Sequence, residues 1–366
     1  MSKNLGLYLH IPFCRSKCPY CDFFSMRASQ GDYDNYVEIL KEKIKYWSSK
    51  TDKIVDTIYF GGGTPSVLKA EQISDLLYTV KNCFNCADDI EITMEANPKS
   101  AIEFDFKAAN QAGLNRVSLG VQSSNQNELK TLGRTHSLTD VTEAVNNIKS
   151  SGIDNISLDL MLGIPEQTVD SLMNSMDFCV SLGVKHISTY ILKIEKNTVF
   201  YKKREKYSFP DDDLTADLYL FAVDYLAQNG FKQYEISNFS KEGFESKHNL
   251  KYWNLEDYLG IGPAAHSYMD GERFFYDRSL EKFKSNEIIK DGKGGTVSEY
   301  IMLQLRLTQG LNLIKYKEAF GSLPDKDFFD KIKKYSKLGY VNYDNDRISF
   351  TEKGFLVSSN ILADLI

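Results

Sequence analysis

The chain has 366 residues, which is enough for one large domain and a smaller one. Its 42% hydrophobic and 26% charged residues are typical of a globular protein, and its net charge of −6 argues against a nucleic-acid surface. No apolar run approaches the roughly 18 residues that a membrane-spanning helix needs. Six cysteines, three of them clustered near the start, indicate metal chemistry in a reducing compartment, so we expect a cytoplasmic protein without a signal peptide.

Strand and helix patterns alternate through the first two thirds of the chain. Strand-like runs lie at 5–10, 57–60, 91–96, 116–120, 155–161 and 185–191, with amphipathic stretches between them at 35–47, 70–80, 139–150 and 169–182. These strand–helix units predict a parallel barrel, or an open part of one, whose site lies at the C-terminal ends of the strands. A flat, doubly wound sheet fits the same pattern.

Three cysteines follow the first strand-like run at the spacing C-x3-C-x2-C, namely Cys14, Cys18 and Cys21. Thiolates are soft, anionic ligands for iron and zinc, so a short loop that carries three of them can wrap a metal cluster. A closed zinc site or an all-cysteine iron–sulfur cluster takes four ligands. Three cysteines therefore leave one metal position open to a small molecule.

The remaining cysteines and a nearby histidine allow other interpretations. His10 can serve as the fourth ligand of a Cys3His zinc site. The Cys83 and Cys86 pair has no second pair nearby and lies at the end of a predicted helix. We therefore interpret these two residues, and Cys179, as ordinary thiols.

Glycines and carboxylates mark the ends of the predicted strands. The run Gly61-Gly62-Gly63 follows the second strand and lets a ligand approach the backbone closely, although such a run is often only a turn. Glu95 ends the third strand and Asp159 lies in the fifth. A carboxylate within an apolar strand is costly unless it is paired, so we expect both to face a polar pocket, although each alone is as well explained as structural.

Residues 247–253, Lys-His-Asn-Leu-Lys-Tyr-Trp, combine one histidine with two aromatic residues: His248, Tyr252 and Trp253. This set suits a haem site, where a histidine ligates the iron and aromatic rings pack on the macrocycle. Without further information, a single histidine near aromatic residues is more often a packed structural residue.

The composition changes near residue 291. Residues 291–295, Asp-Gly-Lys-Gly-Gly, predict a linker. Helical patterns at 298–307 and 326–338, a hairpin at 340–350 and a last helix resemble a winged helix. Residues 292–366 hold 11 Lys or Arg against 9 Asp or Glu, which is too balanced for DNA binding. We therefore interpret this part as a docking or substrate-covering module.

The cysteine motif, followed by an aromatic residue, resembles the signature of radical S-adenosylmethionine (SAM) proteins. Residues 8–14, Tyr-Leu-His-Ile-Pro-Phe-Cys, resemble the branch that contains oxygen-independent coproporphyrinogen III dehydrogenase and the HemW-like haem chaperones. The resemblance covers nearly the whole chain and implies an α/β fold, a partial (β/α)6 radical SAM barrel with a small C-terminal winged-helix-like domain. We expect the barrel in residues 1–235 and the C-terminal domain in 292–366. Between them, residues 236–291 form a connecting segment that contains the motif His-Asn-x-x-Tyr-Trp (HNxxYW) at residues 248–253.

The resemblance also implies the cofactors. In that family three cysteines hold a [4Fe–4S] cluster and the methionine end of SAM binds the fourth iron, which assigns Cys14, Cys18 and Cys21 to the cluster. It assigns SAM-binding positions as follows: Gly62, Gly63 and Thr64 for the amino group; Glu95, Gln122, Arg134 and Asp159 for the carboxylate and ribose; Tyr8 and Tyr20 beside the cluster and nucleotide; and His266 on the adenine side.

Three features bear on the choice between a carrier and an enzyme. The HNxxYW motif matches the one that separates HemW-like chaperones from the dehydrogenases, which makes His248 the candidate haem ligand, with Tyr252 and Trp253 near the macrocycle. Phe23 stands where the dehydrogenase has a further cysteine. The dehydrogenase also has an N-terminal extension before its cluster motif, whereas Cys14 lies near the start here.

The resemblance therefore favours a haem chaperone that binds the cluster, SAM and haem and lacks coproporphyrinogen dehydrogenase activity. The alternative is the dehydrogenase itself, which decarboxylates its substrate oxidatively in haem biosynthesis. The implied partners are haem, client haem proteins and a reductant for the cluster, and a homodimer is a possible working form. Neither nucleic acid nor a membrane span is expected.

Overall fold

The structure, a computed structural model, describes residues 3–344 and 346–366. Met1, Ser2 and Asn345 lie outside the described residues, so the hairpin predicted at 340–350 is described except at Asn345. A 12-stranded mixed sheet and a 3-stranded antiparallel sheet form the frame. No helix among the described residues is both long and apolar enough to cross a bilayer.

The strands fall into the two sheets in chain order. They are β1 (Asn4–Ile11), β2 (Ile54–Gly62), β3 (Cys86–Ala96), β4 (Arg116–Gln122), β5 (Asn155–Leu162), β6 (His186–Ile191), β7 (Lys232–Gln233), β8 (Asn238–Ser240), β9 (Tyr258–Ile261), β10 (His266–Met269), β11 (Glu272–Tyr276), β12 (Ile288–Lys293), β13 (Leu311–Asn312), β14 (Val341–Tyr343) and β15 (Arg347–Phe350). The last three strands make the small sheet.

Helices follow most of the strands of the large sheet. They are α1 (Gln30–Ser48), α2 (Ala70–Cys83), α3 (Pro98–Glu103), α4 (Phe106–Ala112), α5 (Gln126–Thr131), α6 (Leu138–Ser150), α7 (Val169–Ser181), α8 (Val199–Lys202), α9 (Asp212–Gln228), α10 (Lys247–Trp253), α11 (Leu280–Lys284), α12 (Val297–Gln304), α13 (Leu313–Phe320), α14 (Lys326–Lys337), α15 (Glu352–Leu356) and α16 (Ser358–Leu365).

The order of the parallel strands decides between the two predicted architectures. Strands β1 to β6 are neighbours in sequence order, and each pairs with the next in parallel. A doubly wound sheet reverses its strand order at a switch point, whereas a βα barrel does not. Tyr8 of β1 and Tyr190 of β6 line one small cavity, so the sheet curves around a lumen. The open part of a (β/α) barrel is confirmed, and the flat sheet is excluded.

The two faces of the curved sheet differ in chemistry. In β2, Ile58 and Phe60 are fully buried in the apolar core that the sheet shares with the helices, whereas Thr57 and Tyr59 face the lumen. Parallel strands covered on both faces are usually apolar throughout. Here the side chains alternate instead, because the outer face packs on the apolar sides of the helices while the inner face lines the lumen. The polar lumen holds the site.

Residues 236–291, predicted as a connecting segment, add strands to the large sheet. Strand β9 lies parallel to β1, with Gly6 opposite Tyr258, and β10 to β12 continue from it in antiparallel order. The linker predicted at 291–295 is wrong over 291–293, which belong to β12, where Lys293 pairs with Glu272. Charged residues and glycine are typical of coil, but they are also common on an exposed edge strand. The division at 235 and 291 stays a prediction.

The C-terminal part follows the predicted order of helices and hairpin. Helices α12 and α14 begin and end close to the predicted bounds, and β13 and β14 flank β15 in the small sheet. Three contacts fix this part to the rest of the chain. Arg273 forms an ion pair with Glu299, the Gln304 side-chain amide donates to the Trp253 carbonyl (3.0 Å), and the Ile236 N–H donates to the Arg306 carbonyl (3.0 Å).

Candidate functional site

The three clustered cysteines lie in the loop that joins β1 to α1. Two backbone hydrogen bonds close this loop at its base: the Met26 N–H donates to the Pro12 carbonyl (2.8 Å), and the Cys14 N–H donates to the Met26 carbonyl (3.0 Å). Cys14, Cys18 and Cys21 are free, half-buried thiols that line one cavity at the C-terminal edge of the parallel strands. The loop therefore offers three thiols to one enclosed space.

His10 does not join these thiols. Its Nε2 lies 3.0 Å from the Phe24 carbonyl oxygen and its Nδ1 lies 3.1 Å from the Tyr8 hydroxyl, while burial lowers the pKa of His10 to about 4. In residues 3–344 and 346–366, no three His, Cys, Asp or Glu side chains are placed to hold a single metal ion. Because both ring nitrogens of His10 are engaged, the arrangement does not fit a Cys3His zinc site. Three thiols on one cavity suit a multi-iron cluster whose cysteines bind different irons.

The glycine run after β2 is packed closely against the cysteine loop. Gly62 has φ = 107°, and a Cβ there would lie 2.3 Å from the His10 ring. A Cβ on Gly63 would lie 2.5 Å from the Phe13 carbonyl oxygen. Thr64 follows, with its Oγ1 3.5 Å from the Cys14 Sγ. The glycines are thus needed for packing as well as for any close approach of a ligand.

One cavity of about 670 Å³ gathers most of the residues predicted to bind the cluster and SAM. Its lining includes Cys14, Cys18, Tyr20, Cys21, Gly62, Gly63, Thr64, Glu95, Gln122, Arg134 and Asp159. They come from the ends of β2, β3, β4 and β5 and from the loops that follow β1 and α5. The volume is typical of a site for one small-molecule ligand.

The two predicted carboxylates, Glu95 and Asp159, face this cavity, and each accepts hydrogen bonds from neighbouring groups. The Tyr59 hydroxyl donates to Glu95 Oε1 (3.0 Å) and the Gly62 N–H donates to Glu95 Oε2 (3.2 Å). The Ser118 hydroxyl lies 3.0 and 3.1 Å from the two oxygens of Asp159. Burial raises the pKa of Glu95 to about 7 and also raises the pKa of Asp159. Both groups therefore bind a proton more readily than an exposed carboxylate does.

Gln122 and Arg134 meet above a third glycine. A Cβ on Gly120 would lie 2.9 Å from the Gln122 side-chain nitrogen and 3.2 Å from an Arg134 nitrogen. Gln122 has φ = 70°, a left-handed conformation that is strained for a residue other than glycine. The Arg134 Nε–H donates to the Tyr20 hydroxyl (3.2 Å), which joins this pair to the cysteine loop. A guanidinium is thereby held beside the thiols.

A smaller cavity of about 250 Å³ adjoins the first one. Tyr8, Tyr59, His248 and Tyr252 are among its lining residues. His248 is 1% exposed; its Nδ1 lies 2.8 Å from the Thr57 hydroxyl and its Nε2 lies 2.8 Å from the Tyr252 hydroxyl. Burial lowers the pKa of His248 to about 3. The imidazole is therefore neutral at physiological pH, and both of its nitrogens are engaged.

Two predicted site residues lie outside both cavities. Trp253 follows Tyr252 on α10, and an offset of five residues turns its side chain away from the face that carries His248. His266 begins β10, where its exposed ring stacks on Phe275 with the centroids 4.8 Å apart. The predictions of Trp253 beside a macrocycle and of His266 beside adenine are not supported by these positions.

Several polar residues of the lumen were not singled out from the sequence. Tyr59 and Ser118 hold the two carboxylates, Ser157 lies 3.4 Å from Asp159 Oδ1, and Tyr190 lines both cavities. Each of them lies at a lumen-facing position of an otherwise apolar strand. The alternation of polar and apolar residues along a buried parallel strand is the sequence pattern from which these residues could have been predicted.

The other cysteines are far from this edge of the sheet. Cys83 ends α2 and Cys86 begins β3, at the N-terminal edge of the parallel strands. Cys179 is a fully buried residue of α7, and burial raises the pKa of its thiol. None of the three lines either cavity, which agrees with their interpretation as ordinary thiols.

Comparison with known proteins gives whole-length relatives. The heme chaperone HemW of Lactococcus lactis subsp. lactis (strain IL1403) is 35% identical over 372 aligned positions, which cover 99% of this chain and 97% of that protein. The heme chaperone HemW of Bacillus subtilis (strain 168) is 34% identical and covers 97% of each chain. Coproporphyrinogen III oxidase HemN of Escherichia coli, a solved structure, matches with a TM-score of 0.84 at 21% identity over 99% of this chain and 89% of that one, a likeness of fold.

Family models match two parts of the chain. The radical SAM superfamily model matches residues 8–179, which contain the second half of β1, the cysteine loop and β2 to β5. The HemN C-terminal domain model matches residues 296–357, which contain α12 to α14 and the small sheet. Together with the whole-length relatives, these matches show that the chain belongs to the radical SAM superfamily and, within it, to the family of the heme chaperones HemW.

Proposed function

We propose that this chain is a haem chaperone of the radical SAM class, which binds a [4Fe–4S] cluster, SAM and haem and delivers haem to client haem proteins. The observation that carries the proposal is the match to heme chaperones along 97–99% of the chain. Phe23 adds support, because the dehydrogenases resemble this chain in motif but have a cysteine there.

Within this function, Cys14, Cys18 and Cys21 hold the cluster, and the fourth iron stays open to SAM. Their common cavity, to which the described part of the chain contributes no fourth thiol, supports this assignment. A [4Fe–4S] cluster with an open iron and SAM, when bound, supplies one-electron chemistry. The protein's own part is to bind both and to limit the access of water.

The polar residues around the cysteine loop position SAM. Gly62 and Gly63 line the cavity without side chains, so that the SAM amino group can approach their backbone. Arg134 provides a fixed positive charge for its carboxylate, and Glu95 and Asp159 provide acceptors for its hydroxyl and ammonium groups. Gln122, Thr64, Tyr8 and Tyr20 complete the site from the adjoining strand ends and loops.

Anaerobic purification followed by three assays tests the proposal. Reconstituted protein should contain about four irons and four sulfides per chain, bind haem stoichiometrically and leave coproporphyrinogen III unconverted in the presence of SAM and a strong reductant. Cys14→Ala should abolish the visible absorbance of the cluster, whereas the matched control Cys83→Ala should retain it. Robust decarboxylation of coproporphyrinogen III would replace the chaperone with the dehydrogenase.

Localisation and assembly complete the proposal. A cytoplasmic location is supported by the six free cysteines, since reduced thiols are typical of a reducing compartment. The radical SAM class implies a reductant for the cluster, and a homodimer is proposed as the working form. Sedimentation velocity of the reconstituted protein, with and without haem, measures the assembly directly.

A further inference from the structure

The most exposed large apolar side chain of the described residues lies at the mouth of the site. Phe23, two residues after Cys21, is 70% exposed and lines both cavities. Tyr190, at 41%, also lines both, and the adjacent Ile191, at 42%, lines the larger one. Residues from the cysteine loop and from the end of β6 thus form an apolar rim where the two cavities meet. Such a rim marks a binding surface more often than single scattered apolar residues do.

The sizes of the cavities place a large ligand at this rim. The larger cavity, of about 670 Å³, is already assigned to the cluster and SAM, and the smaller one, of about 250 Å³, is below the roughly 300 Å³ at which ligand pockets begin. With the larger cavity taken by the cluster and SAM and the smaller one below that size, haem has to extend beyond both cavities. A flat macrocycle can instead lie across their common mouth with one edge in the smaller cavity.

The charge at the rim also suits haem, whose macrocycle carries two propionates at one edge. The Lys17 ammonium donates to the Phe23 carbonyl (3.0 Å) and has no ion pair with a carboxylate among the described residues. An ammonium group has three N–H donors, so Lys17 can donate to a propionate while it keeps this contact. An apolar ring and an unpaired cation therefore lie side by side.

We propose that haem binds across the common mouth of the two cavities, with its macrocycle on Phe23, Tyr190 and Ile191 and a propionate at Lys17. The inference rests on the proposed function, because it presumes that haem is the cargo. It places the macrocycle beside the cluster loop, with His248 in the wall of the cavity below it. A phenylalanine at residue 23 then acts as a contact for the cargo.

Haem titration of anaerobically reconstituted protein tests the inference. Phe23→Ser and Ile191→Ser should each raise the haem dissociation constant about tenfold, because each removes most of one apolar side-chain contact. Lys17→Gln should weaken haem binding and reduce its dependence on salt. Leu338→Ser is the matched control, since Leu338 is 58% exposed in the C-terminal part and lines neither cavity. Ile191 is on β6, away from the cysteine loop, so its variant remains informative if Phe23→Ser loses iron.

The possible results separate this inference from the function. The rim is supported as the haem site if Phe23→Ser and Ile191→Ser bind haem more weakly and retain their iron, while haem binding by Leu338→Ser is unchanged. If Ile191→Ser binds haem as tightly as the wild type, or if Leu338→Ser is weakened as much as the rim variants, the rim is not the haem site. The chaperone function would still stand. Absence of haem binding by the wild-type protein overturns the function itself.

Discussion

The Nε2 atom of His248 lies 2.8 Å from the hydroxyl oxygen of Tyr252, one helical turn further along α10. The other ring nitrogen lies 2.8 Å from the Thr57 hydroxyl, so the imidazole has no free nitrogen. If His248 ligates haem iron, it must give up one of these hydrogen bonds. The hydrogen bond to Tyr252 lies nearer to the smaller cavity than the one to Thr57, because His248 and Tyr252 both line that cavity.

Replacement of Tyr252 tests this relationship. Tyr252→Phe keeps the ring but removes the hydroxyl, and it should lower the haem dissociation constant about threefold to tenfold, the value of one neutral hydrogen bond. His248→Ala should weaken haem binding or shift the Soret band while cluster and SAM binding persist. The control His266→Ala, outside both cavities, should leave the spectrum unchanged. An unaltered His248→Ala spectrum would assign the iron to another ligand.

SAM binding is expected to depend on Arg134 and Asp159. Replacement of either by Ala should remove a charge-assisted hydrogen bond of about 1.5–3 kcal/mol, which raises the SAM dissociation constant roughly tenfold or more. Iron content should stay near the wild-type value, because neither residue belongs to the cysteine loop. Isothermal titration calorimetry measures the affinity, and the exposed Arg204→Ala is the control. Wild-type affinity in both site variants would refute the assignment.

Gly62 should tolerate no side chain. In Gly62→Ala, a positive φ costs about 1–2 kcal/mol and the new Cβ also collides with the His10 ring, so both the unfolding temperature and SAM affinity should fall. Gly230→Ala is a matched control, because Gly230 also has a positive φ but no atom within 4 Å of its added Cβ. Comparing the calorimetric unfolding of the two variants separates the effect of the collision from the effect of the positive φ. Equal losses of stability would show that the packing around Gly62 adjusts without penalty.

The buried Glu95 should make stability depend on pH. Burial raises its pKa from 4.5 to about 7, so between these values the folded state binds more protons than the unfolded state. The free energy of unfolding therefore falls as pH rises through this window, and the contribution is complete only below pH 4.5. Glu95→Gln should flatten that part of the profile in denaturant titrations. Parallel profiles for wild type and Glu95→Gln would contradict the pKa shift.

The sequence predicted the parallel strands well and the antiparallel ones poorly. Strands β1 to β6 were found from continuous apolar or alternating runs, each followed by an amphipathic helix. Strands β7 to β12 have two to six residues, too few for periodicity. The strand that joins β9 to the large sheet is also remote in sequence, since Tyr258 lies opposite Gly6 of β1. Nothing local in residues 291–293 distinguishes an edge strand from a linker.

The candidate site was predicted in the same uneven way. Residues at strand ends, such as Glu95 and Asp159, reach one cavity because the C-terminal ends of parallel strands share an edge. Tyr252 shares a helix face with His248 and lines the smaller cavity with it, whereas Trp253, five residues after His248, lies on another face, so its place beside a macrocycle stays a prediction. The left-handed backbone of Gln122 has no signal in its residue type.

The large sheet separates the polar lumen on one face from the apolar core on the other. Leu158 and Leu160 of β5 are fully buried on the helix side, while Asp159 between them faces the cavity. None of the three cluster cysteines is among the apolar residues of the helix-side core. Side chains at the lumen-facing positions can therefore differ between relatives without loss of contacts in the apolar core on the other face of the same sheet.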